Sequence, residues 1–247
     1  MSAPQTPSLA PPRAVLFDAY GTLFDVHSVA ELADTLFPGQ GVALSALWRD
    51  KQIEYTRLLT TSNHGAHYQP FSVVTRAALI YAIKKLVPAA CSVSAEEDFL
   101  LEFEPAIEML LAQYQHLEPF PENLAVLQSL HQRGVRLGIL SNGDAPMLQQ
   151  AVHHAGFADV LEAVISVDAV RKFKTHPDAY ALGPQTLGLG AADILFVSAN
   201  GWDALGATWF GYRTLWVNRK GAPHEALGPP PTHTGRDLHA VLHCFEG

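Results

Sequence analysis

Near-continuous apolar runs four or five residues long recur along the chain at 14–17, 136–140, 163–167, 194–197 and 213–217. A strand buried on both faces reads this way, without the alternation of a half-exposed strand. Stretches of helical length lie between the later runs, at 122–133, 146–155, 178–187 and 203–209. Strand–helix alternation of this kind predicts a doubly wound, mostly parallel α/β sheet.

Residues 25–118 carry a different period. Val29, Leu32, Ala33 and Leu36 fall on one helical face, as do Val74, Ala78, Leu79, Ala82, Ile83 and Leu86. The pattern predicts a helical cap domain at 25–118, inserted after the first strand of an α/β core made of 13–24 and 119–247. Such an insertion lies over the carboxyl ends of the strands, where open α/β sheets bind ligands. Four prolines in residues 1–12 suggest a disordered lead-in, and the Pro/Gly-rich stretch 221–234 a surface loop before a short closing helix.

The apolar fraction of 48% is enough for a sizeable core, which sets disorder aside. A formal charge of −8 argues against a nucleic-acid or anionic-membrane surface, without excluding a locally positive pocket. Cys91 and Cys244 form no CxxC pair and no Cys/His zinc spacing, and no apolar stretch reaches membrane-spanning length. With no signal-peptide pattern at the start, the expected location is the cytoplasm. Of the twelve histidines only His239 and His243 fall at HxxxH spacing and none at HExxH, and they read as solvated or capping imidazoles.

Asp18 directly follows the first run, in Phe17-Asp18-Ala19-Tyr20-Gly21-Thr22-Leu23-Phe24. A carboxylate there sits in the sheet's ligand crevice, among backbone N–H groups able to hold an anion. The plainer reading is a loop aspartate capping the next turn.

This segment resembles the nucleophile motif of the haloacid dehalogenase superfamily, and three later segments match that superfamily in order. Leu140-Ser141-Asn142-Gly143 resembles its Ser/Thr motif, Lys174 its lysine, and Phe196-Val-Ser198-Ala-Asn200-Gly-Trp202-Asp203 its acidic motif. Two departures set the branch. Tyr20 stands where the superfamily's phosphatases carry the second Asp that protonates an alkoxide, whereas a departing halide needs no proton. Ala199-Asn200 replaces the Gly-Asp pair that holds magnesium there. Asp18 to Val29, Trp48-Arg49 to Tyr55 and the spacing from Lys174 to Tyr180 resemble the L-2-haloacid dehalogenase branch, with Thr175-His176 in place of its usual Pro-Asp.

The resemblance implies hydrolysis of short 2-haloalkanoic acids, with Asp18 displacing the halide and water then cleaving the aspartyl ester. It implies Asp18, Thr22, Lys174, Ser198, Asn200 and Asp203 as catalytic, and Arg49 and Asn142 as halide ligands. Ala19, Tyr20, Ser141, Ile53, Phe71, Tyr180 and Trp202 are implied around the substrate. The expected partners are the haloacid and water, with no metal, no cofactor, and a homodimer through the cap. Which halide is expelled, fluoride included, stays open. Plainer readings stand beside these roles: Lys174 as a surface lysine next to Lys172, Arg49 as an exposed partner of Glu54, and Trp202 as packing. Asp25 reads as ordering the entry into the cap.

Two alternatives lie outside dehalogenation. A magnesium-dependent phosphatase of the superfamily is opposed by Tyr20 and Asn200. A receiver-like module phosphorylated on Asp18 is opposed by the long helical insertion and the missing acidic cluster.

Overall fold

A computed structural model describes residues 10–93 and 95–246. The lead-in expected at 1–12 lies outside the described residues up to residue 9. Residues 10–12 are held against the core, since Pro12 is buried and the Ala10 carbonyl accepts from Arg213.

Strand β1 (Ala14–Phe17) is completely buried and is followed by a tight turn. The chain then builds five helices: α1 (Ala30–Leu36), α2 (Gly41–Thr61), α3 (Phe71–Leu86), α4 (Pro88–Cys91) and α5 (Glu96–Gln115). It returns through α6 (Asn123–Gln132), β2 (Arg136–Ser141), α7 (Ala145–His154), β3 (Ala163–Ser166) and α8 (Pro177–Leu187). The last elements are β4 (Ile194–Ser198), α9 (Gly201–Phe210), β5 (Arg213–Val217), β6 (His233–Gly235) and α10 (Ala240–His243). No helix among the described residues is long and apolar enough to cross a membrane.

Among the described residues the six strands form one sheet in the order β3-β2-β1-β4-β5-β6, and each strand pairs with its neighbours in parallel. The sequence order reverses direction between β1 and β4, so the carboxyl ends of these two central strands define the topological switch point. Asp18 follows β1, and Ser198 ends β4. The strands expected from apolar runs are all present. β6 corrects the reading of 221–234 as loop alone: it lies on the sheet edge with mostly exposed side chains and joins only through its backbone pairing with β5.

The helical insertion leaves and rejoins the core at one place. Asp25 N donates to Glu118 O at 2.8 Å and Phe120 N to Leu23 O at 3.3 Å, so the outgoing and returning segments run side by side. Asp25 orders this junction, its Oδ1 accepting from His27 N at 2.9 Å. Glu122 pins the return, accepting from Arg219 Nη1 at 2.6 Å and from Leu238 N at 3.3 Å. Burial alone would push the Glu122 carboxyl up. Hydrogen bonds from its own backbone, from Arg219 and from Leu238 outweigh that and hold it below the usual glutamate value of 4.5.

A depressed carboxylate contributes stability above its unfolded pKa and loses it as pH falls through the folded value. Glu122→Gln is therefore expected to lower Tm at pH 7, and the gap to the unsubstituted chain should close below about pH 4.5. A gap unchanged between pH 7 and pH 3 would contradict this role. Helix α8 makes a second test, because it packs so close to the sheet that Gly183 has no room for a Cβ. An added methyl would collide with Tyr212 Oη and lie 2.5 Å from Leu16 Cδ1. Gly183→Ala should cost about 1–3 kcal/mol in denaturant unfolding, as overpacked cores do.

Candidate active site

Asp18 is placed by the sheet itself: its N–H donates to Val197 O at 2.8 Å, continuing the β1–β4 pairing by one residue. The turn beyond it folds back on Ala19, whose carbonyl accepts from the N–H groups of Thr22, Leu23 and Phe24. Gly21, at φ 90°, supplies the left-handed backbone that this reversal requires. The N–H groups of Ala19 and Tyr20 take no part in these turn bonds.

Four side chains converge on the Asp18 carboxylate, which is only 6% exposed. Oδ2 accepts from Asn200 Nδ2 at 2.8 Å, from Thr22 Oγ1 at 2.9 Å and from Ser198 Oγ at 3.5 Å. Oδ1 accepts from Lys174 Nζ at 3.1 Å. Thr22 is itself oriented by Ala199 N–H, which it accepts at 2.8 Å, and Ser198 Oγ accepts from Asn200 N at 3.1 Å. The motifs at the ends of β1 and β4 thus orient one another.

Lys174 is buried, with its Nζ also 3.0 Å from Asp203 Oδ2 and 4.7 Å from the centre of the Phe196 ring. Its backbone N–H donates to Asn142 Oδ1 at 2.9 Å. This bond fixes the Asn142 amide, leaving Nδ2 as the donor that Lys174 does not engage. The next turn uses the chain's own Thr175-His176: His176 caps α8 through Nδ1, and Pro177 occupies the first helical position. Asp203, fully buried, is pushed up by desolvation, against which the Lys174 ammonium pulls. Tyr180 donates to Asp203 Oδ1 at 2.7 Å, and burial keeps this phenol protonated well beyond its usual range.

Above Asp18 lies a small chamber of about 10 Å³, room for about one water. It is lined by Asp18, Tyr20, Ser141, Asn142 and Trp202 from the core and by Arg49, Gln52, Ile53, Thr56 and Phe71 from the insertion. Arg49 Nη2 donates to Tyr20 O at 3.1 Å and to Asn200 Oδ1 at 3.3 Å, both neutral acceptors. Trp202 Nε1 is buried without a hydrogen-bond partner among the described residues, a donor available to a ligand. Tyr20 is wedged against Phe71, with ring centres 5.4 Å apart, and stacks on Tyr114 at 5.6 Å. Burial pushes its phenol far up, so it is neutral at any ordinary pH.

The structure therefore gathers the residues singled out in the sequence, with two differences of place. Tyr180 does not line the chamber; it lies beneath it and orients Asp203. The Ala19 side chain is wholly buried, so only its backbone is offered to the turn. Gln52 and Thr56 were missed. Both follow Arg49 at helical spacing with Ile53, on one face of α2, a signal that the sequence carried.

A family model described as haloacid dehalogenase-like hydrolase matches residues 12–211. The (S)-2-haloacid dehalogenase of Pseudomonas sp. (strain YL) is 40% identical over 95% of this chain and 94% of its own length. The crystal structure of an L-2-haloacid dehalogenase superimposes with a TM-score of 0.85 at 50% identity, covering 95% of this chain and 98% of that one. The L-2-haloacid dehalogenase from Xanthobacter autotrophicus with chloropropionic acid covalently bound gives 0.82 at 35% identity, over 96% of this chain and 99% of that one. A match across most of the chain, with relatives of this identity and coverage, makes the conclusion direct: the chain belongs to the haloacid dehalogenase-like hydrolases.

Proposed function

We propose that this chain hydrolyses short 2-haloalkanoic acids to 2-hydroxy acids through an ester on Asp18. The observation that carries the reading is a carboxylate fixed by four side chains, facing a small chamber that Arg49 and Asn142 also line. A covalent chloropropionic acid in the Xanthobacter autotrophicus relative supports the same assignment.

In the first step one Asp18 oxygen attacks the carbon bearing the halogen, and the halide leaves with the bonding electrons. Arg49 exchanges its neutral acceptors for the departing anion, which its permanently charged guanidinium suits, and Asn142 Nδ2 adds a second donor. The substrate carboxylate is received by Ser141, the N–H groups of Ala19, Tyr20 and Asn142, and Trp202 Nε1. Ile53 and Phe71 enclose its apolar part. In the second step water adds to the Asp18 ester carbon, and the donors Thr22, Asn200, Ser198 and Lys174 stabilise the charge that develops on oxygen. Asp203, raised by burial, takes the water's proton. As the Cγ–O bond to the substrate breaks, Asp203 returns its proton to the leaving alkoxide oxygen. The Asp18 carboxyl so formed loses the water's other proton, so that the hydroxy acid, one halide and one proton are released per turnover.

Tyr20 separates this reading from phosphoryl transfer. A phenol buried and neutral beside aromatic rings is no counterpart of the carboxylic acid that protonates an alkoxide. Residues 25–118 act here as the cap that completes the chamber. The exposed apolar side chains Val73 and Tyr81 on α3 and Leu101 and Met109 on α5 support a homodimer through this cap.

Purified protein should release halide from (S)-2-chloropropionate with EDTA present, and Asp18→Asn should abolish release. Chloroacetate, fluoroacetate and the (R) acid in parallel define halide range and stereochemistry. Absence of halide from the whole panel with folded protein would refute the proposal. For the assembly, sedimentation at micromolar concentration should give a mass near 54 kDa, twice the 26.8 kDa chain; a monomer would contradict the dimer.

A further inference from the structure

Asp144 stands just past the chamber-lining residues Ser141 and Asn142, and its carboxylate is buried, 5% exposed. Oδ1 accepts from Met147 N at 3.3 Å, capping α7 in the core. Oδ2 accepts from Ser72 N at 2.9 Å, in the first turn of α3 in the insertion. One carboxylate thus serves the amino ends of two helices, each presenting unpaired N–H groups and the positive end of its dipole. Helix α3 needs this from outside, because Pro70 at its start has no side-chain acceptor and makes no cap.

Both ends of this bridge lead into the chamber. Phe71, beside Ser72, is the first residue of α3, almost wholly buried and packed on Tyr20 and Phe173. On the core side the loop from Ser141 to Asp144 is continuous, with Gly143 O tied to Ser166 Oγ at 2.7 Å. We propose that Asp144 is a positioning residue that sets substrate fit. It pins the first turn of α3 to the loop after β2 and so fixes the gap between Phe71 and Ser141–Asn142. This rests on the dehalogenase reading of the chamber.

Residue type matters because only a carboxylate offers an acceptor oxygen to each helix. An asparagine has one acceptor, and its NH2 group would face an N–H. A serine caps α7 well but lacks the second branch. Asp144→Asn and Asp144→Ser are therefore expected to keep α7 and release α3.

The test uses the full chain and two readouts. Without substrate, hydrogen exchange at Ser72 should accelerate at least about fivefold in both variants, while α5 amides stay as they were. With substrate, KM for (S)-2-chloropropionate should rise more than kcat falls. The preference for it over (S)-2-chlorohexanoate, as a ratio of kcat/KM, should drop about fivefold or more as Phe71 gives way. A lower Tm with an unchanged ratio would overturn the proposal, as would unchanged exchange at Ser72. If the unsubstituted chain releases no halide, the proposed activity fails instead, and Ser72 exchange still supports or overturns the pin.

Discussion

Lys174 places its ammonium between two buried carboxylates, 3.1 Å from Asp18 and 3.0 Å from Asp203, in a position almost closed to water. Two carboxylates in such a site repel, and each is costly to desolvate; the shared cation makes the arrangement tolerable. Breaking such an ion pair by removing one partner costs about 3–5 kcal/mol, because a charge is left buried alone. Three separate segments must therefore arrive in register: the turn after β1, the loop after β3 and the start of α9. The parallel sheet supplies that register, with Phe17 opposite Val197 and opposite Ile139. Asn142 joins the loop after β2 to the same point through the Lys174 backbone.

The second constraint is closure. Every donor on Asp18 comes from the core, whereas half of the chamber wall comes from the insertion. Among the described residues the side-chain hydrogen bonds between the two are few: Arg49 on Tyr20 and Asn200, Thr60 Oγ1 accepting from Phe173 N, Tyr68 on Asp168, Ser72 N on Asp144, and Lys220 with His27. Tyr20 links these contacts to the chemistry. Its ring is clamped by Phe71 and Tyr114, and its carbonyl accepts from both Arg49 and Asn200. Gln52 backs this wall, accepting from Tyr114 and donating to Thr75 within the insertion. With room for about one water, the chamber leaves little space for bulk water beside Asp18.

Much of this was legible in the chain because burial on both faces writes itself as unbroken apolar runs. β1 and β4 are fully buried, and their runs were unmistakable. β6 carries His-Thr-Gly, has exposed side chains and joins the sheet by its backbone alone, so no hydrophobic signal marks it. The residues that meet at Asp18 could be named from four short motifs, each at a strand end. Tyr180 could not be placed by spacing, because the phase of α8 decides whether its hydroxyl faces a ligand or Asp203. The bond from Ser72 to Asp144 joins residues 72 apart in sequence and exists only once α3 is docked.

The central claim is that Asp18 is esterified and gives one of its own oxygens to the product. It is tested most directly by a single turnover in H2-18O with enzyme in excess over (S)-2-chloropropionate. The account predicts lactate carrying unlabelled oxygen and one 18O in the peptide containing Asp18, by mass spectrometry. Label in the first-turnover lactate with none in Asp18 would mean direct attack by water and would contradict it.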